Sequence, residues 1–261
     1  MKPNRIEREK NFHDIRFESE DPRKSVKKYY SVVQSTKRIY REHVISACRD
    51  KALLELGCGP SGSTHLWHRS GAKVTGIDIS PEGIKKAVKT AEEKNLDIAY
   101  HAMNAERTEF PDNSFDLTVG MGIIHHLELH TCYKELARIL KPGGSAIFME
   151  PLGHNPLVNL YRYVTPSLRT EDEHPLLLQD IELAKNYFDE VTPEYYQLCS
   201  LAAFPFRKTD LFETVSSKLE RFDQALFEIV PYLKRHAWVC ILKLGSPRKT
   251  NDSSAEKSNG H

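Results

Sequence analysis

The sequence lacks the features that mark membrane spans, disulfide frameworks and nucleic-acid partners. No apolar run approaches the roughly 20 residues needed to cross a bilayer, and the polar first residues, 1–10, lack the apolar core of a signal peptide. The five cysteines of the 261 residues are dispersed, with no C-x-x-C pair, which argues against disulfides or a zinc site. The formal net charge is +1, so no overall field favours nucleic acid. These absences predict a cytoplasmic protein without a membrane span or a nucleic-acid partner.

What the sequence contains is a regular alternation of apolar and amphipathic segments. Such alternation predicts an α/β domain with right-handed crossovers and a parallel sheet, because parallel strands are joined through helices that cover both faces. The predicted strands are 52–56, 73–78, 97–103, 115–119, 145–149, 190–198 and 236–244. The predicted helices are 25–48, 63–70, 80–94, 128–140, 176–188 and 208–230, and residues 141–144 are predicted to break the fourth of them.

A glycine-rich turn follows the first predicted strand. Residues 53–62 read LLELGCGPSG, which places Gly57, Gly59 and Gly62 at G-x-G-x-x-G spacing between a strand and a helix start. This arrangement is typical of a site that holds a nucleotide-like ligand. Asp78 ends the second predicted strand, where its carboxylate can accept hydrogen bonds from both hydroxyls of a ribose. The turn alone is also found in dinucleotide dehydrogenases.

Five segments in order resemble the motifs of class I S-adenosylmethionine-dependent methyltransferases, in the type 11 pattern of small-molecule enzymes. They are LELGCG at 54–59, GIDIS at 76–80, FPDNSFD at 110–116, IIHHL at 123–127 and LKPGG at 140–144. The resemblance covers about residues 50–151. It implies a Rossmann-like seven-stranded sheet, mostly parallel with an antiparallel last strand. It also implies S-adenosyl-L-methionine as cofactor and methyl transfer to a small organic acceptor by in-line displacement.

The resemblance also implies roles for single residues in binding the cofactor. Glu55 corresponds to the acid that organises the cofactor ammonium, and Asp78 to the acid on the ribose. Asn104 departs from the family, which usually has aspartate there, but an amide can still accept from the adenine amino group. The full set of expected cofactor-binding residues is Tyr30, Glu55, Gly57, Cys58, Gly59, Gly62, Asp78, Ile79, Asn104, Ala105, Gly120 and Met121. For Tyr30, on the leading helix, and for Met121, packing in the core is the alternative.

Three residues at the carboxyl edge of the predicted sheet are candidates for catalysis. His125 and His126 follow the fourth strand, and Glu150 ends the fifth, at the edge where open α/β sheets bind ligands. Either histidine is a candidate general base or acceptor-binding group, Glu150 is a candidate for contact with the acceptor, and the alternative for each is capping of a loop. Asp172, Glu173 and His174 are adjacent, and three adjacent side chains rarely converge on one ion, so we expect no metal site.

The remaining segments predict how the domain is bounded. Residues 1–24 are expected to form an arm or lid, in which residues 12–14 can close the site. Residues 25–245 form the methyltransferase-like domain, with an insertion or lid at 151–175, and residues 246–261 form a disordered polar tail. A monomer or homodimer is expected.

Two other classes of protein remain open. One is a non-catalytic S-adenosylmethionine-binding partner subunit, and the other is a protein or nucleic-acid methyltransferase. Neutral charge and the absence of an Asn-Pro-Pro-Tyr-like motif after the fourth strand argue against the latter. The context of Glu55 and the 141–144 segment argue against a nicotinamide dehydrogenase.

Overall fold

The structure, a computed structural model, describes residues 4–18, 32–60, 62–165 and 174–249, with only the backbone of Tyr161. Within these residues seven strands form one sheet in the order β3-β2-β1-β4-β5-β7-β6. The strands are β1 Ala52–Leu56, β2 Lys73–Asp78, β3 Ala99–Ala102, β4 Phe115–Met121, β5 Leu140–Pro151, β6 Phe188–Tyr196 and β7 Val239–Pro247. β7 is antiparallel to both of its neighbours, and every other pairing is parallel. The predicted fold class is confirmed.

Eight α-helices surround this sheet in the described residues. They are α1 Arg5–Glu18, α2 Gln34–Cys48, α3 Thr64–Arg69, α4 Pro81–Glu93, α5 Leu129–Ile139, α6 Pro156–Val164, α7 Leu178–Leu183 and α8 Phe212–Ile229. Short 3-10 segments lie at Ile124–His126, Ala184–Asn186, Cys199–Phe206 and Pro231–His236. None of these helices is long and apolar enough to cross a membrane.

Local sequence accounts for the start of α4. Ser80 is its N-cap, and the hydroxyl of Ser80 accepts a hydrogen bond from the amide of Gly83 at 3.0 Å. Pro81 occupies the first helical position, where its missing N–H costs nothing. This helix therefore begins where the sequence predicted, directly after the acid that ends β2.

The core lies on both faces of the sheet, which is why the central strands are apolar throughout. On one face α5 packs on the sheet with the fully buried Tyr133 and Leu136. On the other face α2 and α3 contribute Tyr40 and Trp67, whose rings meet edge to face. This burial leaves the carboxyl edge of the parallel strands as the place where polar side chains gather.

Several predicted boundaries are wrong because strand pairing overrides local sequence. Residues 141–144 belong to β5, which begins at Leu140, paired with Phe115. The helix predicted at 176–188 ends early, since Phe188 already pairs with Pro247. That pairing also corrects the predicted tail, because Ser246 and Pro247 belong to β7. The 151–175 insertion contains α6, and 166–173 and 250–261 lie outside the described residues.

Candidate functional site

The turn after β1 has the backbone conformation that its glycines predict. Gly57 and Gly59 have φ values of +64° and +50°, a region that favours glycine. A Cβ atom on Gly57 would lie 2.9 Å from Cδ1 of Ile123, and one on Gly62 would lie 2.5 Å from the carbonyl oxygen of Cys58. The amide of buried Cys58 donates to the carbonyl of Ile77 at 3.0 Å. The turn is therefore held tightly against the ends of β2 and β4.

Glu55 presents a buried carboxylate behind this turn. Its side chain lies in β1, and the residue is 6% exposed. Oε1 accepts a hydrogen bond from the amide of Ser63 at 2.9 Å, while buried Oε2 has no hydrogen-bond partner among the described residues. Burial raises the pKa of this carboxyl to about 7. A buried acceptor of this kind is suited to a cationic ligand group.

Asp78 connects the turn to the end of β2. Its Oδ2 accepts from the amide of Gly59 at 2.8 Å, and its Oδ1 accepts from the amide of Ser80 at 2.9 Å. The residue is buried, and desolvation raises the pKa of its carboxyl. Each carboxylate oxygen can accept a second hydrogen bond, so the side chain can still bind a ligand hydroxyl pair. Ile79 is half-buried beside it.

The segment after β3 forms a tight turn. Oδ1 of Asn104 accepts from the amide of Glu106 at 2.9 Å, and Ala105 between them is buried. One acceptor position of the Asn104 amide is thus used within the turn. Gly120 and Met121 end β4, and a Cβ on Gly120 would lie 2.6 Å from Cγ2 of Ile123. The expected cofactor residues of β1, β2, β3 and β4 therefore all lie at the carboxyl edge of the sheet.

Glu150 organises the loop that carries the two histidines. This fully buried side chain accepts from the amides of Ile123 at 3.0 Å and Ile124 at 3.1 Å through Oε1. Its Oε2 lies 2.6 Å from Nδ1 of His125, which is also buried. The rings of His125 and His126 are 4.2 Å apart. Of the two interpretations of Glu150, these contacts favour the anchoring of a loop over contact with an acceptor.

Helix α1 covers the candidate site. Most of the α1 residues that face the site were not predicted from the sequence. Arg5, Glu9, His13 and Phe17 recur every four residues, a spacing that places them on one helix face. A Cβ on Gly59 would lie 3.2 Å from Cζ of Phe17. The four-residue spacing was the available signal, but sequence analysis singled out only residues 12–14. Within the predicted arm or lid, residues 5–18 thus form a helix beside the turn.

The remaining candidates are residues that the structure does not describe and a possible metal site. Tyr30, Asp172 and Glu173 are outside the described residues. Among the residues that the structure does describe, no group of three or more His, Cys, Asp or Glu side chains is arranged to hold a metal ion.

The comparisons with known proteins agree with this architecture. Residues 54–148 match the family model of a methyltransferase domain. Demethylmenaquinone methyltransferase of Tropheryma whipplei (strain Twist) is 31% identical over 157 residues, which cover 58% of this chain and 62% of that protein. Ubiquinone biosynthesis O-methyltransferase of Sodalis glossinidius is 32% identical over 108 residues, covering 41% of this chain and 43% of that protein. The chain thus spans less than two thirds of the length of these curated relatives.

A solved structure shares the fold over nearly the whole chain. Geranyl diphosphate C-methyltransferase from Streptomyces coelicolor A3(2), in complex with Mg²⁺, geranyl diphosphate and S-adenosyl-L-homocysteine, superposes with a TM-score of 0.61 at 13% identity. The match covers 95% of this chain and 100% of that one. Residues 54–148 are therefore similar in sequence to a methyltransferase domain, and the chain shares its fold with a solved methyltransferase structure.

Proposed function

We propose that this protein binds S-adenosyl-L-methionine and transfers its methyl group to a small organic acceptor. The observation that carries this proposal is the buried Oε2 of Glu55, which has no hydrogen-bond partner among the described residues and lies behind the glycine turn. A buried carboxylate is costly unless it meets a cation. The ammonium group of the cofactor's methionine part supplies such a cation, while Asp78 at the neighbouring strand end holds the ribose.

The other residues at the edge complete the cofactor site. In this proposal the turn amides contact the methionine part, Ile79 packs on adenine, and Asn104 with Ala105 meets the adenine amino group. Gly120 and Met121 close the site from β4, and Tyr30 adds an aromatic face. When bound, the cofactor supplies an electrophilic methyl carbon on a cationic sulfur.

The chain's own residues then position the acceptor and exclude water. Correct positioning lowers the activation barrier by about 7–11 kcal/mol in favourable cases. Removal of a proton from the acceptor is then the one further chemical task for the protein. His125 and His126 are the candidates for that task. Glu150 acts through His125, because its Oε1 already accepts from the loop amides and its Oε2 lies beside Nδ1 of His125.

The relatives indicate what kind of acceptor to try first. The relatives include a demethylmenaquinone methyltransferase and a ubiquinone biosynthesis O-methyltransferase. We therefore propose a small ring compound with an apolar substituent as the first acceptor class for this chain. A cytoplasmic monomer or homodimer without a nucleic-acid partner is part of the same proposal.

Calorimetric titration with S-adenosylhomocysteine tests the cofactor site. We expect binding to the native protein and a loss of affinity of at least tenfold in Asp78→Ala, because two ribose hydrogen bonds to a charged acceptor are removed. Asp97→Ala, an exposed acid at the entrance of β3, is the matched control and should bind normally. Equal affinity in native protein and Asp78→Ala, or binding of NAD in its place, would overturn the assignment.

Turnover distinguishes an enzyme from a non-catalytic partner subunit. The native protein is incubated with cofactor labelled in its methyl group and an extract of its source, and labelled products are identified by mass. We expect a labelled small molecule. Binding of the cofactor without any labelled product, together with co-purification of one stoichiometric partner, would favour the partner subunit instead.

A further inference from the structure

Helix α1 contacts both halves of the proposed site through one face. Its C-terminal part lies on the cofactor half, where a Cβ on Gly83 would lie 2.9 Å from Cδ2 of Phe17. On the same side the hydroxyl of Ser80 donates to Asp14, and Lys86 donates to the carbonyl of Phe17. The helix is thereby fixed to α4, directly beside Asp78.

The N-terminal part of α1 lies on the loop that carries the histidines. Nη1 of Arg5 donates to the carbonyl oxygen of His126 at 2.7 Å, and Nη2 of Arg5 contacts Glu106. Glu106 also accepts from the amide of Glu128 at 2.7 Å. Arg5 therefore ties the helix to the carbonyl of His126 and, through Glu106, to the amide of Glu128.

Glu9, one turn further along the same face, meets the imidazole of His126. The Glu9 residue is 5% exposed, and its Oε2 lies 3.4 Å from Nδ1 of His126 and 3.6 Å from Nε2 of His13. This contact does not have hydrogen-bond geometry, so the Glu9 carboxylate acts on Nδ1 by charge, which favours the tautomer that carries its proton on Nδ1. That tautomer leaves Nε2 of His126 able to accept a proton.

The imidazole of His126 belongs to a cluster of aromatic rings. The ring of His13 lies 6.1 Å from that of His126, 5.4 Å from that of Phe12 and 5.6 Å from that of Phe17. On the loop side, the ring of His125 lies 4.2 Å from that of His126. The rings of His13 and His125 flank that of His126, and the rings of Phe12 and Phe17 flank His13 in turn. Such a cluster beside one proton acceptor suits a planar aromatic ligand, because aromatic faces and edges pack favourably against each other.

We propose that His126, oriented by Glu9 of α1, takes the proton from an aromatic hydroxyl acceptor. The inference rests on the proposed function, since it requires the cofactor beside this group. His126 is the catalytic residue, because it touches the reacting hydroxyl, and Glu9 is a positioning residue that acts through His126. Helix α1 is then a component of the active site, and the acceptor is methylated on oxygen.

The step balances without a further reactant. The O–H bond of the acceptor breaks, and its proton passes to Nε2 of His126. The oxygen lone pair forms a bond to the methyl carbon as the carbon–sulfur bond breaks, and that electron pair stays on sulfur. The products are a methyl ether and S-adenosylhomocysteine, and the imidazolium returns its proton to water.

His125 is the other candidate base, and its surroundings differ. Its Nδ1 lies 2.6 Å from Glu150, which is fully buried and also anchors the loop amides. Substitution of that pair would disturb the loop backbone. The Glu9–His126 pair joins two separate elements, so it can be changed without removing the backbone anchor.

The test measures turnover of a geranyl-substituted catechol by the full chain, with S-adenosylhomocysteine affinity measured in parallel. We expect His126→Asn to lower kcat about 100-fold, which is the scale of general base catalysis. Glu9→Gln should lower kcat about tenfold, the scale for partners that orient a functional histidine, with the acceptor KM and cofactor affinity within twofold of native. The control is Glu7→Gln, an exposed acid on the same helix that should leave turnover unchanged.

A double variant separates positioning from a structural role. If Glu9 acts through His126, the pair Glu9→Gln and His126→Asn should be no slower than His126→Asn alone. Multiplicative losses, or a loss in Glu9→Gln that appears in KM and cofactor affinity, would overturn the inference. So would native protein that binds S-adenosylhomocysteine yet does not methylate the catechol. Absence of S-adenosylhomocysteine binding would instead overturn the proposed function.

Discussion

Glu55 is a residue whose chemistry depends on where its strand lies. In sequence it is one acid among 36 Asp and Glu residues. In the sheet it lies between the apolar Leu54 and Leu56, and burial raises the pKa of its carboxyl to about 7. The carboxyl of Glu55 therefore holds its proton below neutral pH.

This shift makes stability depend on pH in a defined direction. Because the folded-state pKa lies above the ordinary value of 4.5, the contribution of Glu55 to stability is complete below that value and is lost as pH rises through 7. Glu55→Gln stays neutral at every pH. Its free energy of unfolding, compared with that of native protein at the same pH, should therefore rise by about 2 kcal/mol from pH 5 to pH 8. Urea unfolding of the ligand-free proteins at both pH values measures this difference.

The exposed Glu92→Gln variant serves as the control, since it should follow native protein at both pH values. The same substitution at Glu55 should weaken S-adenosylhomocysteine binding at pH 8, where the native carboxylate is charged. If the difference in unfolding free energy between Glu55→Gln and native protein is the same at pH 5 and pH 8, Glu55 is ionised in the folded protein over this whole range.

At the scale of elements, helix α1 is the part that sequence reasoning described least well. Its apolar residues do not form a strong stripe, and its contacting face is mostly charged or aromatic. The helix is held by polar groups and by Phe17, which packs on the backbone of Gly59 and Gly83. Because Gly59 and Gly83 have no side chains, they leave room for the ring of Phe17. The docking of α1 on the domain therefore depends on two residues that lie far from α1 in the sequence.

Gly83→Ala tests this docking. In α4 itself alanine is favoured over glycine by about 1 kcal/mol, but its Cβ would approach Cδ2 of Phe17 to 2.9 Å. We expect faster hydrogen exchange in α1 with unchanged or slower exchange in α4, measured by mass spectrometry. In the background Phe17→Ala the glycine substitution should have no further effect on α1. Unchanged exchange in α1 of the single variant would show that Phe17 is not what docks the helix.

At the scale of the whole molecule, the site lies between elements far apart in the chain. Strand β1 and its turn, the ends of β2 and β4, and helix α1 all border the same edge of the sheet. A ligand that contacts all of them binds only the folded chain. It should therefore stabilise the molecule as a unit.

S-adenosylhomocysteine at 100 times its dissociation constant should stabilise the protein by about 2.7 kcal/mol through mass action. For a chain of this size that corresponds to a rise of roughly 5–10 °C in the thermal midpoint. Differential scanning calorimetry measures the rise, and Asp78→Ala at the same ligand concentration should show much less of it. A thermal midpoint in native protein that does not move with ligand concentration would contradict a site of this kind.

Much of the proposed cofactor half could be predicted because its signals are local. The strand and turn at 52–62 form one contiguous segment, and β1 and β2 occur at the predicted residues. The predicted element boundaries were wrong where pairing with a distant strand sets them. Leu140 belongs to β5 because it pairs with Phe115, and the helix predicted to reach Phe188 ends earlier because Phe188 pairs with Pro247.

The sequence by itself determined the order of strands and helices, the glycine turn and the two acids beside it, since each depends on neighbours along the chain. Only the tertiary structure decided that Glu55 is desolvated and that Glu150 holds a loop. Only the tertiary structure also placed Glu9 beside His126. These properties depend on which side chains from distant segments exclude water and meet in space, and no local pattern encodes that.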